Sequence, residues 1–169
     1  MSDADRAQAL LARIDEVKAQ GAHGAVRAAA EELLELAGTT PAQRGLALHA
    51  LAHAWIDEGQ PARSAEPWER LAALEGAPGV ARCEAHCARG YARAARGEHA
   101  AARDAFDAAL RVRDGAPAHL GSARFHTAKS WLAEGHRRLA RLELQAFLAL
   151  ADTYPGERAE AERLLASLS

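Results

Sequence analysis

Four glycines stand at one fixed step. Gly21, Gly59, Gly97 and Gly135 each follow the last by 38 residues. Such a period constrains a chain more than its composition does, because each copy must be a small supersecondary unit that buries its apolar face on its neighbours. The stretches "AQGAHGAVRAAAEELLEL", "DEGQPARSAEPWERLAAL", "ARGEHAAARDAFDAALRV" and "AEGHRRLARLELQAFLAL" align without a gap. Nine residues past each glycine stand Ala30, Trp68, Phe106 and Leu144. Twelve past stand Leu33, Leu71, Ala109 and Phe147, and fifteen past stand Leu36, Leu74, Val112 and Leu150. Steps of three on one side mark the buried stripe of a helix.

A second amphipathic segment precedes each glycine. Its apolar members are Leu10, Ile14 and Val17; Leu48, Leu51, Ala52 and Trp55; Cys87, Gly90, Tyr91 and Ala94; and Phe125, Ala128, Trp131 and Leu132. Each unit therefore reads as helix, tight glycine turn, helix, with units at about 3–38, 41–76, 78–114 and 117–153. The boundaries carry helix stops and starts: in "AGTTPAQ", Gly38 ends one helix, and Thr40, Pro41 and Gln43 form a capping box around the next. A ninth helix over 156–168 sets Ala161, Leu164, Leu165 and Leu168 on one side and charges on the other, as a terminal capping helix requires. Pro67 disagrees with this scheme. A start near Pro61 puts it inside the second helix of its unit and predicts a kink; the alternative is a late start at Ser64, with Pro67 in the first turn.

Alanine-rich helix formers dominate, and hydrophobic residues at 49% with charged ones at 26% exclude a disordered chain. The start, "MSDADRAQALLARIDEVK", has no apolar core for a signal peptide, and no window offers the roughly 18 apolar residues of a membrane span. Two cysteines make no disulfide framework. The expectation is one cytoplasmic all-α domain over 1–169, with no membrane partner. A net charge of -2 and few aromatics argue against nucleic acid.

The third unit, "GYARAARGEHAAARDAFDAAL", resembles a tetratricopeptide repeat through Gly90, Gly97, Ala102, Phe106 and Ala109. The second matches with Ala52, Trp55, Gly59, Trp68 and Leu71, and the fourth with Ala128, Trp131, Gly135, Ala140 and Phe147; Arg93 departs from the place of Trp55 and Trp131. The resemblance implies a right-handed α-solenoid of four units plus the capping helix. It also implies a non-enzymatic adaptor that holds a peptide or partner segment in a groove lined by first helices. Reading that register gives His49, His53 and Ile56, then Cys87, Tyr91 and Ala94, then Phe125, Lys129 and Leu132. Tyr91 and Phe125 are the expected anchors; the competing reading has both filling joints between units.

Charge is lopsided: residues 1–76 hold 7 Lys/Arg against 12 Asp/Glu, and residues 77–169 hold 14 against 11. With Lys129 and neighbouring arginines, this favours a partner with an acidic or C-terminal carboxylate feature. Self-association as a structural subunit is a further reading.

"RCEAHCARG" places Cys83, His86 and Cys87 together. Cys83 and Cys87 lie one turn apart, and His49 and His53 form a similar pair one unit earlier. The four can converge as a metal- or small-ligand-binding regulatory site. Packing is the preferred reading, since buried cysteine behaves as a small hydrophobe. Phosphate-binding glycine loops, nucleophile elbows and HExxH pairs are missing, so neither a catalytic role nor a cofactor is expected.

Overall fold

The computed structural model describes residues 2–168, and every regular element among them is a helix. The order is α1 Asp3–Ala19, α2 His23–Glu35, α3 Pro41–Asp57, a 3-10 turn Pro61–Ser64, α4 Ala65–Ala73, α5 Gly79–Ala95, α6 His99–Leu110, α7 Pro117–Ala133, α8 Arg137–Leu148 and α9 Pro155–Ser167. No helix among the described residues is long and apolar enough to cross a membrane.

Local chemistry sets the helix ends. Thr40 accepts from the Gln43 backbone while the Gln43 side chain accepts from the Thr40 backbone, with Pro41 in the first turn. Ser2 and Asp5 form the same box on α1. The four turn glycines close the first helices identically. Gly21, Gly59, Gly97 and Gly135 have φ of +68, +74, +77 and +80°. The residue after each donates to a carbonyl five residues back: Ala22 to Val17, Gln60 to Trp55, Glu98 to Arg93 and His136 to Trp131, all at 2.9–3.0 Å. That is the Schellman closure, which needs a left-handed residue where a side chain would be strained.

The kink expected at Pro67 is not formed. The chain instead makes the short 3-10 turn and starts α4 at Ala65, which puts Pro67 in the first turn. There its missing N–H is one that no helix bonds internally, so the late start leaves no hydrogen bond unmade. The result is a helix of only nine residues, tied down by buried Pro67, Trp68, Leu71 and Ala72.

The chain divides into two compact units, Met1–Ala85 and His86–Ser169, with the division inside α5. In the first, Ala7, Leu10 and Ile14 of α1, Val26, Ala29, Ala30 and Leu33 of α2, and Ala47, Ala50, Leu51 and Ala54 of α3 share a core. In the second, Phe125 and Ala128 of α7, Leu144 and Phe147 of α8, and Ala161 of α9 form a core flanked by Leu164, Leu165 and Leu168. The stripe positions Ala30, Trp68, Phe106 and Leu144 are all buried, as are Leu33, Leu71, Ala109 and Phe147.

A longer correspondence of 76 residues relates the two units. In the first, the Arg27 guanidinium lies over the Trp55 ring at 3.9 Å and bonds Glu58 at 3.0 Å. In the second, Arg103 lies over Trp131 at 3.6 Å and pairs with Glu134 at 2.7 Å. Each arginine comes from a second helix and clasps the end of the following first helix, and a stacked guanidinium of this kind contributes about 0.5–2 kcal/mol. At the same register in mid-chain stand Ala65, Arg93 and Arg96. Arg93 donates to the Ala101 carbonyl and Arg96 pairs with Glu98. Arg93, out of pattern in the sequence, thus takes a different role as a local brace.

Candidate functional site

Pro41, Ala42 and Asp57 are exposed at the ends of α3. Along its middle, Gly45, Ala47, Leu48, Ala50, Leu51, Ala52 and Ala54 are covered, while exposed Leu46 and Ile56 and half-buried His49 and His53 form a stripe. Their spacing of three, four and three keeps them on one side of the helix. Leu46 is 45% exposed and Ile56 is 40% exposed. An open stripe on a helix usually carries charge; this one carries two apolar side chains and two imidazoles.

The imidazoles share one acceptor. Nε2 of His49 lies 2.8 Å from one oxygen of Glu84, and Nε2 of His53 lies 2.9 Å from the other. A carboxylate only accepts, so both rings donate from Nε2. The rings stand 4.5 Å apart between centroids, and Trp68 of α4 meets both edge-on at 5.7 and 5.3 Å. α3, α4 and α5 each contribute to this cluster, all within Met1–Ala85. Burial pushes the Glu84 carboxyl upward, but hydrogen bonds and charge from His49 and His53 outweigh it and hold it well below the usual carboxylate range.

A lowered carboxyl gives stability that is complete above the unfolded value of about 4.3 and is lost as pH falls through the folded one. Glu84→Gln should therefore lower the denaturation midpoint at pH 6, and the gap from wild type should be smaller at pH 3, where the unfolded carboxyl is mostly protonated and the folded one still ionised. Paired urea titrations at pH 6 and pH 3 measure this; a gap independent of pH would contradict it.

The other expected groove residues are placed differently. Cys87 and Phe125 are 1% exposed and line no surface. Phe125 packs on Phe147 at 5.4 Å between ring centroids, and the Cys87 thiol donates to the His119 carbonyl at 3.6 Å. Both are covered by their neighbours, so the exposed part of the expected lining omits them. Tyr91 is 37% exposed, yet its hydroxyl is bonded to Ser122 at 2.7 Å. Burial above all, then Cys87, pushes its phenol above the ordinary value. Ser122 in turn donates to Glu157, which also faces His126 at 3.3 Å. The Glu157 carboxylate thus stands between serine and imidazole and braces α7 to α9. Lys129 is paired with Glu160 at 2.9 Å and Arg124 with Glu143 at 3.3 Å, both in partly exposed ion pairs. Leu132 is half-buried.

Of the four residues considered for metal, the structure brings His49 and His53 together, with Glu84 as their companion. Cys83 is fully buried. Neighbours on a helix point about 100° apart, so where Glu84 faces the imidazoles Cys83 faces inward. Glu84 was missed because it is a lone acid between cysteines. A signal exists in the register: Glu84 follows His49 by 35 residues and His53 by 31, as Glu157 follows Ser122 and His126. Those separations are one repeat less one or two helical turns.

No family model, curated protein or solved structure matches this chain.

Proposed function

We propose that the protein is a non-enzymatic, tetratricopeptide-like interaction module that binds a peptide or partner helix through the open stripe of α3. One observation carries this reading: between its covered positions α3 keeps Leu46 and Ile56 exposed on one side, with His49 and His53 half-buried between them. Exposed apolar side chains beside fixed hydrogen-bonding groups are what an interface core needs. The repeated helix, Schellman turn and helix support the repeat-module reading. The ligand is a segment that offers apolar side chains to Leu46 and Ile56, with polar atoms that reach the imidazole edges.

Comparative capture from the source cell tests the site. A protein retained by wild type should be lost with Leu46→Glu or Ile56→Glu and kept with Leu139→Glu or Leu142→Glu, which alter exposed positions of α8. Loss with the α8 variants alone would place binding elsewhere.

A further inference from the structure

We propose that His49, His53 and Glu84 form a binding site for a divalent transition-metal ion of the zinc class, with one coordination position left open on the α3 stripe. The ligand atoms of these three residues already lie within 4.8 Å of one another. Two imidazole nitrogens and one carboxylate oxygen are a donor set that suits zinc and its neighbours and disfavours magnesium or calcium.

Zinc bonds of about 2.0–2.1 Å in a tetrahedron put ligand atoms roughly 3.3 Å apart. The imidazoles meet different oxygens of Glu84, at 2.8 and 2.9 Å. An ion held through one of these oxygens opens that contact by about half an ångström and draws the other imidazole in, within the 4.8 Å that the three ligand atoms already span. Both rings come from one helix at a four-residue spacing, and Trp68 restrains them at their edges. The three side chains retain 23–31% exposure, which provides an entry path and a solvent-facing fourth position.

The protons can be followed. In the metal-free chain each Nε2 carries hydrogen toward Glu84. Coordination through Nε2 requires the neutral ring with its proton on Nδ1; a neutral ring changes tautomer, and a charged ring releases one proton to solvent. Affinity must therefore fall as the pH is lowered.

The site differs from the cysteine-containing set that the sequence suggests, and its occupancy does not depend on any protein partner. The test uses the full chain without a histidine tag, stripped with chelator and titrated with zinc chloride by calorimetry at neutral pH. Binding of one equivalent is expected, with Cys83→Ser and Cys87→Ser unchanged. His49→Ala and Glu84→Gln each remove a ligand and should weaken it by more than the roughly 10–100-fold that losing a residue which only orients a ligand costs, with circular dichroism confirming their fold. Zinc should also shift the backbone amide resonances around His49, His53 and Glu84 in the wild-type chain, a readout that requires no variant. No binding, binding indifferent to the His49 and Glu84 changes, or binding lost with the cysteines would overturn the proposal.

Discussion

Phe106→Ala is expected to destabilise the His86–Ser169 unit by about 3–5 kcal/mol, the cost of removing a buried aromatic ring that its surroundings cannot refill. Phe106 is completely buried on α6. Its ring lies 5.6 Å from Tyr91 and 5.9 Å from His126 between centroids. It also explains Gly90. A Cβ placed on Gly90 would meet Phe106 ring atoms at 2.3, 2.6 and 2.7 Å, distances that a rigid buried ring cannot yield. Gly90→Ala should therefore cost about 1–3 kcal/mol in wild type through overpacking. In the Phe106→Ala background the clash is gone. There the same change should be neutral, or stabilising by up to about 1 kcal/mol, because alanine is the better helix former. Urea denaturation of the four-member cycle measures the coupling. A loss below 1 kcal/mol for Phe106→Ala, or an equal Gly90→Ala effect in both backgrounds, would contradict the packing described.

Trp68→Ala should cost the Met1–Ala85 unit a similar 3–5 kcal/mol or so. Trp68 is 4% exposed and is the largest side chain anchoring α4, a helix shortened by its late start. Its loss also removes the edge that both imidazoles rest against. Two effects should appear together: a lowered denaturation midpoint, and ring resonances of His49 and His53 averaged toward those of mobile histidine. Trp68→Phe, which keeps an aromatic edge, should recover part of both. Full stability in Trp68→Ala would mean that α4 is held by something other than its buried stripe.

The glycine step and the stripe at nine and twelve residues past it were legible because the Schellman turn and the buried face each demand particular residue types at fixed positions. The clasp of Arg27, Trp55 and Glu58, repeated by Arg103, Trp131 and Glu134, was hidden because it recurs at 76 residues. A 38-residue alignment averages it with Ala65 and Arg93. Pro67 was misjudged because the alignment fixed the helix start by analogy, while the missing N–H favoured a start four residues later. His49, His53 and Ile56 were grouped by the register that the tetratricopeptide resemblance implies, and the structure sets them on one side of α3. Phe125 and Cys87 share the register of His49, yet both are covered in the second unit. Register says which residues are equivalent, and burial depends on what packs against each copy.

We propose that the α3 stripe is the surface this protein uses. A photo-crosslinking amino acid placed singly at Ile56 or at Leu142, in the full chain within the source cell, tests it directly. Both positions are exposed, at 40% and 55%, so neither reports accessibility alone. The account predicts a discrete protein adduct from Ile56, diminished by Leu46→Glu, and none from Leu142. A discrete adduct from Leu142 with none from Ile56 would contradict it.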